Sequence, residues 1–403
     1  MSYFRIIEHD RRLRVVVVGA GQMGRRWITE VLECEELELS GVVDIDLDAA
    51  RRAVRACGAG AVAVDAGLSA VLARQPVDAV INVTVPESHF AINLECLRAA
   101  IPVLCEKPLV PSLTHAYLLA GAAEHHSTLL AASQSRRYYR RLSDLRRAIA
   151  GTGPPFLVTA QFFRDPHFGG FRQQMVQPLL LDMAIHAFDT ARFLTASEPV
   201  SARCETFNPS WSWYEGDAAA VATFEMTDGL RFAYTGSWCS GGLETSWNGS
   251  WRLSGPRGSA TWDGIGPPAL ELVNNATSAA TVGDWSAQAS GEPEEMAGSL
   301  AEFVRSLRSG AAPSGDIHAN LWTLAMVHAA VQSASTSGRR VVVSDLMDVA
   351  FRKALADEDH EGSSALHRWG HPLARLIGGE GGSPRSGGAG PEPAQGPGRG
   401  ARV

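Results

Sequence analysis

Between residues 14 and 135, short continuously apolar runs alternate with segments of helical period. Arg14-Val15-Val16-Val17-Val18 reads as a strand buried on both faces, since a half-solvated strand would alternate instead. A helix follows from Gln22 to about Cys34, then a second strand from Leu37 to Asp44. Helices over Asp48–Ala56 and Leu68–Arg74 flank a third strand, Ala61–Val64. Asp78–Thr84 is a fourth strand, leading into a helix from His89 to Ala100. Val103–Cys105 and Leu129–Ala132 are the fifth and sixth. Strands separated by helices with short connections predict an α/β unit, a doubly wound parallel sheet.

The pattern then changes. From Phe156 to about Val273 most segments alternate with period two, bounded by Gly, Pro, Asp and Asn. Thr227-Asp228-Gly229 between Val221–Met226 and Leu230–Thr235 is a hairpin signal. Helical patterns interrupt at Leu179–Leu194 and return from His318 to about Ser335. The second part therefore reads as an α+β domain with a mostly antiparallel open sheet. Residues 378–403 hold ten Gly and four Pro. They cannot bury enough apolar surface to offset their ordering entropy, so they read as a disordered tail. The organisation expected is an arm over 1–13, a dinucleotide-binding domain over 14–135, a substrate and oligomerisation domain over 136–345, and a C-terminal extension over 346–403. No internal repeat is visible.

Composition narrows the class. Of 403 residues, 45% are hydrophobic and 20% charged, which fits a globular protein. No apolar run approaches the ~20 residues of a membrane helix. The first 14 residues carry no apolar core of a signal peptide, so a cytoplasmic location is expected. A net charge of −7 without a basic domain argues against nucleic acid and anionic membranes as partners. The six cysteines form no C-x-x-C pair and read as reduced, mostly buried thiols. Asn248-Gly249-Ser250 and Asn275-Ala276-Thr277 match the glycosylation pattern, which has no meaning in a chain that is not exported.

Gly19-Ala20-Gly21-Gln22-Met23-Gly24 is a G-x-G-x-x-G run that follows a buried strand and opens a helix. In that context the first glycine permits the turn and the second lets the backbone approach a pyrophosphate. The third allows close packing of helix on strand. Asp44, twenty residues past Gly24, can accept from both ribose hydroxyls and repels a 2′-phosphate. NAD is therefore favoured over NADP, although Arg51 and Arg52 lie close by.

Two further segments could carry chemistry. Glu106-Lys107-Pro108 follows the fifth strand at the edge where such sheets bind ligands, and a held lysine there can donate to a substrate oxygen. Asp182, His186 and Asp189 fall at i, i+4 and i+7 of an otherwise apolar helix, hence on one face. His186 could be an acid/base titrating near neutral pH, the three could hold a metal, or His186 could simply be hydrogen-bonded in the core. No further His or Cys lies near enough in sequence to complete a metal site.

Gly19–Gly24, Asp44, Thr84-Val85-Pro86-x-x-His89, Glu106-Lys107-Pro108 and Asp182-x-x-x-His186 together resemble the Gfo/Idh/MocA oxidoreductases from about Arg14 to Val343. The resemblance implies a Rossmann domain, an α/β domain whose open sheet supports a homodimer or homotetramer, and NAD(P)-dependent hydride transfer on a sugar, cyclic polyol or related compound. It implies that Lys107 and His186 are catalytic, with Asp182 orienting the substrate or His186. Thr84, Pro86, His89 and Glu106 would belong to the cofactor site, beside Gln22 and Met23 of the cradle. Gln177-Pro178-Leu179-Leu180-Leu181 departs from the glycine-rich stretch that many members carry there. A non-catalytic dinucleotide or sugar sensor on the same fold is the alternative, and it would not need both the lysine and the histidine.

Seven of ten tryptophans lie between Trp211 and Trp285 and read as sheet packing or interface, with sugar stacking the other use. Arg136, Arg137, Arg140, Arg141, Arg146 and Arg147 read as a solvated helix face. Arg137, Tyr138 and Asp189 are placed as candidates for contact with substrate.

Overall fold

The computed structural model describes residues 2–273, 291–358, 365–373 and 376. The second glycosylation-like set, at Asn275, Trp285 and the tail from 378 lie outside them. The first sheet comprises β1 (Leu13–Val18), β2 (Leu37–Val43), β3 (Ala63–Asp65), β4 (Ala79–Asn82), β5 (Val103–Cys105) and β6 (Leu130–Ala132). Its order is β3-β2-β1-β4-β5-β6 with every pair parallel. The order reverses between β1 and β4, and the crevice beyond the strands' carboxyl ends at that point is where doubly wound sheets bind ligands. The valines of β1 are buried on both faces, as their unbroken apolar run requires.

The second sheet holds β7 (Leu157–Phe163), β8 (Pro199–Phe207), β9 (Ala219–Met226), β10 (Arg231–Ser237), β11 (Ser250–Gly255), β12 (Gly258–Trp262), β13 (Ala269–Leu272) and β14 (Val341–Val342), in the order β13-β12-β11-β7-β10-β9-β8-β14. β7 and β10 run parallel and the other pairs antiparallel. β9 and β10 turn at Asp228 and Gly229, both left-handed. One face alternates out as Val221, Thr223 and Glu225 on β9, while Ala222, Phe224 and Met226 point into the core.

Helices α1 (Gln22–Glu33), α2 (Leu47–Ala56), α3 (Leu68–Leu72), α4 (Pro86–Arg98), α5 (Leu113–His125) and α6 (Arg140–Thr152) flank the first sheet or follow it. Then come α7 (Phe171–Gln174), α8 (Ile185–Thr195), α9 (Glu295–Ser309), α10 (Ile317–Ser335) and α11 (Val343–Glu358). Periodicity does not single out α5: it buries Leu113, Ala116, Tyr117, Leu119, Ala120 and Ala123 around most of its circumference, so it has no one-sided apolar stripe. One apolar core runs from β4 and β5 through α5 and α10 to Phe224, Phe232 and Trp251 of the second sheet. The other face of the first sheet packs Trp27, Ile28 and Val31 with Phe303 and Leu307 of α9. The tryptophans divide: Trp238, Trp251 and Trp262 are buried, whereas Trp211 and Trp247 are exposed.

A polar node ties Tyr3 of the N-terminal arm and the turn at Trp369 to this core. His318 at the start of α10 faces Asp316 Oδ1 through Nδ1 at 2.7 Å and Glu124 Oε1 of α5 through Nε2 at 3.1 Å. The Tyr3 hydroxyl donates to Asp316 Oδ2 at 2.7 Å, and Trp369 Nε1 donates to Glu124 Oε2 at 3.0 Å. Burial would lower the imidazole pKa, but the two carboxylates overcome it and raise it to about 9. With a folded pKa above the ordinary 6.5, the charged ring stabilises the fold fully below pH 6.5, and this contribution is lost as pH rises towards 9. His318→Gln is therefore expected to lower stability by about 3 kcal/mol at pH 6 and by much less at pH 9.5. Urea unfolding of parent and variant at the two pH values checks it. Equal losses at both would mean that the ring is held neutral.

Candidate active site

The turn from β1 into α1 is built by close approach. Gly19 has φ +103, and a Cβ there would meet the Val83 carbonyl oxygen at 2.6 Å. A Cβ on Gly24 would lie 2.1 Å from the Gly19 carbonyl oxygen. A Cβ on Gly21 would have no neighbour within 4 Å, so this glycine borders open space at the helix N-terminus. Gln22 and Met23 are exposed beside it, and no side chain caps the helix. Free N–H groups, a dipole and open space fit a pyrophosphate. Asp44 stands at the end of β2, its Oδ2 accepting from Ala20 N at 2.7 Å and its Oδ1 from Asp46 N at 2.9 Å. The carboxylate is thereby fixed beside the cradle. Arg51 pairs with Asp48 and Arg52 with Asp46 on the surface of α2, so neither needs a 2′-phosphate for neutralisation.

Glu106 and Lys107 leave β5 at the same sheet edge. Trp27 Nε1 of α1 donates to Glu106 Oε1 at 3.0 Å, and Glu106 Oε2 accepts from the Lys107 amide at 3.0 Å. The cradle helix and the lysine turn are thus tied together. Lys107 Nζ donates to the Asp182 carbonyl oxygen at 2.7 Å and to Oδ1 at 2.9 Å. Arg172 Nε donates to Oδ2 of the same carboxylate at 2.6 Å. Burial would raise the Asp182 pKa, but the Lys107 and Arg172 charges hold it below the usual value. An ammonium has three donors, which leaves one of Lys107 for a ligand.

Asp182 sits in a π-helical turn, Leu179–Ala184, that runs directly into α8. The regular helix expected over Leu179–Leu194 is therefore widened in its first part, a bulge that is concentrated at functional sites elsewhere. The predicted stripe does not converge. Asp189 is buried and makes a two-pronged pair with Arg137, Nε to Oδ2 and Nη2 to Oδ1 both at 2.7 Å, and also accepts from Thr323 Oγ1 at 2.8 Å. The Tyr138 hydroxyl is bound by Glu302 and Ser314. These three substrate candidates form part of the framework, because their polar groups are already partnered away from Lys107. Arg137 and Tyr138 instead help line a separate cavity of 480 Å³ bounded by α6 and α9, which none of Lys107, Asp182 and His186 touches.

His186 Nδ1 is buried without a hydrogen-bond partner among the described residues. Burial first, then the Arg136 and Lys107 charges, push its pKa well below 6.5, not to neutrality as its type alone suggests. His89 also departs from expectation. It is fully buried, with Nδ1 2.8 Å from the Pro108 carbonyl oxygen and Nε2 3.0 Å from that of Thr84. It braces the turn after β4 against the lysine turn and cannot touch a cofactor. Thr84, Pro86 and Glu106 remain partly exposed at this edge.

Two residues were not singled out by sequence. Arg172 reaches Asp182 from the short helix α7, entered through Gly169 and Gly170, both of positive φ. The paired glycines were the available signal. Arg136, on the 3-10 turn Ser135–Tyr138, donates to the Trp247 carbonyl oxygen and lies 3.9 Å from Met183 Sδ, and its charge is one of those that depress His186. Adjacent arginines in so short a turn point different ways, which the sequence pattern does not resolve.

The family model described as "Oxidoreductase family, NAD-binding Rossmann fold" matches residues 13–133, and that of the GFO/IDH/MocA C-terminal domain matches residues 145–261. An uncharacterized protein, y4oX, of Sinorhizobium fredii is 26% identical over 342 residues, covering 79% of this chain and 93% of that protein. Inositol 2-dehydrogenase 4 of Saccharopolyspora erythraea is 33% identical over 193 residues, 47% of this chain and 56% of that protein. In fold, the chain is similar to an Agrobacterium radiobacter oxidoreductase solved with NAD+, L-tartaric acid and magnesium. The TM-score is 0.73 at 19% identity, covering 83% of this chain and 99% of that one.

Two substitutions separate packing from ligand binding at the cradle. Gly24→Ala is expected to lower both the Tm and NADH affinity, because its Cβ meets backbone. Gly21→Ala is expected to leave the Tm of the free protein unchanged yet weaken NADH binding at least about tenfold, or about 1.4 kcal/mol. Thermal melts and NADH fluorescence titrations read the two effects. Parental NADH affinity in Gly21→Ala would place the phosphates elsewhere.

Proposed function

The chain belongs to the Gfo/Idh/MocA oxidoreductase family, and on that premise we propose that its NAD-dependent reaction is oxidation or reduction at a CH–OH carbon of a sugar, cyclic polyol or related compound, carried by Lys107, Asp182 and His186. The carrying observation is that Lys107, fixed through Glu106 to the cradle helix, meets Asp182 at the carboxyl edge of the parallel sheet, one helical turn before a buried His186 whose pKa its charge helps to depress. When bound, NAD supplies a hydride acceptor, or NADH a donor, at nicotinamide C4. Gly19, Gly21, Gln22, Met23 and Gly24 would hold the pyrophosphate, and Asp44 the adenosine ribose. Thr84, Pro86, Glu106 and Lys107 would border the nicotinamide side.

Lys107 Nζ donates its remaining hydrogen to the substrate oxygen, and Asp182 is a positioning residue that keeps this ammonium in place. His186 takes the hydroxyl proton at an imidazole nitrogen in the oxidative direction and returns it in the other. Residues 14–135 serve the cofactor and 136–345 the substrate. We place the protein in the cytoplasm as a homodimer or homotetramer joined through the open face of the second sheet, where Val200, Phe207 and Val221 are exposed.

His186→Asn is expected to bind NADH as the parent does while losing about 10²-fold or more in kcat, measured in single turnovers with a polyol found by screening. The depressed imidazole pKa makes oxidation by the parent insensitive to pH from 7 down through 6.5, with activity falling only at lower pH. A profile that drops at pH 6.5, or full turnover by His186→Asn, would assign the proton to another group.

A further inference from the structure

Asp182 is held from two sides by elements of different origin. Lys107 Nζ arrives from the turn after β5 and meets Oδ1 at 2.9 Å, whereas Arg172 Nε arrives from α7 and meets Oδ2 at 2.6 Å. The aspartate side chain is 12% exposed and the arginine side chain 34%. An ion pair with one partner so open to water adds little to stability, so strengthening the fold is a poor reason for it.

The element that carries Arg172 adds nothing to the core. α7 is a single turn, and none of its four residues is buried. Apolar packing therefore does not hold it in place. It is held instead by residues 213–217, between β8 and β9. The amide of Glu215 donates to the Gln173 carbonyl oxygen at 2.9 Å, and that of Asp217 donates to the Val176 carbonyl oxygen at 2.8 Å. A Cβ on Gly216 would lie 2.2 Å from the Val176 carbonyl oxygen, so the close approach needs glycine. Ahead of α7, the Tyr214 hydroxyl donates to the Pro166 carbonyl oxygen at 2.9 Å, and the Trp213 ring stacks on His167 with centroids 3.7 Å apart. The Phe168 and Phe171 rings then lie 5.6 and 4.7 Å from the guanidinium carbon of Arg172 and attract it. What this scaffold delivers is one guanidinium at Oδ2 of Asp182.

The direction of Lys107 depends on that delivery. An aspartate carboxylate turns readily about its last bond, because that torsion is broad and two-fold. With Lys107 as the only partner, either oxygen could take the ammonium and the carboxylate plane would be free. With Arg172 on Oδ2, only Oδ1 remains and the plane is set. Lys107 already gives a second hydrogen to the Asp182 carbonyl oxygen at 2.7 Å. Two fixed acceptors leave the third N–H of a tetrahedral ammonium one direction. A donor aimed in advance serves a reacting oxygen better than one that must be reoriented.

We propose that Arg172 is a positioning residue of the reaction, acting through Asp182 to aim the remaining N–H of Lys107 at the substrate oxygen. This rests on the oxidoreductase reading above and deepens it.

A double-mutant cycle tests it. The parent is first assayed with NAD on a panel of aldoses and cyclic polyols headed by myo-inositol, and the best of these becomes the probe. With that probe, kcat is measured for the parent, Arg172→Met, Arg172→Lys, Asp182→Asn and the double variant Arg172→Met/Asp182→Asn. Arg172→Met is expected to lose at least about tenfold in kcat while binding NADH as the parent does. Arg172→Lys, which keeps a cation within reach of Oδ2, should recover most of the loss. In the Asp182→Asn background, Arg172→Met should change kcat by less than about twofold, because its effect passes through that carboxylate. A merely structural arginine would give equal losses in both backgrounds, and that result overturns the proposal. So does parental kcat in Arg172→Met. If thermal melts show Arg172→Met unfolded, Arg172→Gln replaces it in the cycle. Full turnover by Asp182→Asn, or a parent that oxidises nothing in the panel, would instead overturn the oxidoreductase reading and the proposal with it.

Discussion

The contact between Lys107 and Asp182 is the constraint on which the rest of the site depends. Lysine comes from the turn after β5 of the first sheet, and the aspartate from the helix that packs on the second. Both side chains are largely withdrawn from water, so neither charge is tolerable alone. The two halves of the molecule must therefore meet in one register for either to be stable. Arg172 takes the other carboxylate oxygen and so attaches the Gly169-Gly170 loop to the same point. Glu106 and Trp27 extend the connection to the cradle helix. A displacement of the phosphate-binding turn is thus felt at the ammonium through two hydrogen bonds and a continuous stretch of backbone.

The framework around this contact is satisfied elsewhere by its own pairs. Arg137 and Asp189 neutralise each other just behind the site, and Thr323 of α10 completes them. His318 does similar work between Asp316 and Glu124, drawing in Tyr3 from the arm and Trp369 from the C-terminal turn. The protein thus answers with counter-charges the buried charges that hold its elements together.

What could be read in the sequence was whatever is local. Gly19–Gly24 after four valines, the turn at Asp228-Gly229 and the fixed position of Lys107 before Pro108 each follow from residues adjacent in the chain. Contacts made across the chain were not legible. Asp182, His186 and Asp189 are spaced for one helix face, but the π turn before α8 and the pull of Arg137 give Asp182 and Asp189 separate partners. His89 has a type suited to a cofactor site, yet two carbonyl oxygens, one from the turn before its own helix and one from the lysine turn, enclose it. Between Arg136 and Arg137 the chain offers no distinction at all. Only the position of Asp189 decides which arginine is tied into the framework.

The electrostatics of the centre also bear on how the proposed proton transfer is matched. A histidine held neutral by burial and by two cations is a weak base, and a weak base removes a proton slowly from an ordinary alcohol. The same cations, however, stabilise negative charge as it develops on a substrate oxygen and so make the hydroxyl more acidic. Donor and acceptor are shifted in the same direction by one field, which keeps their affinities for the proton close.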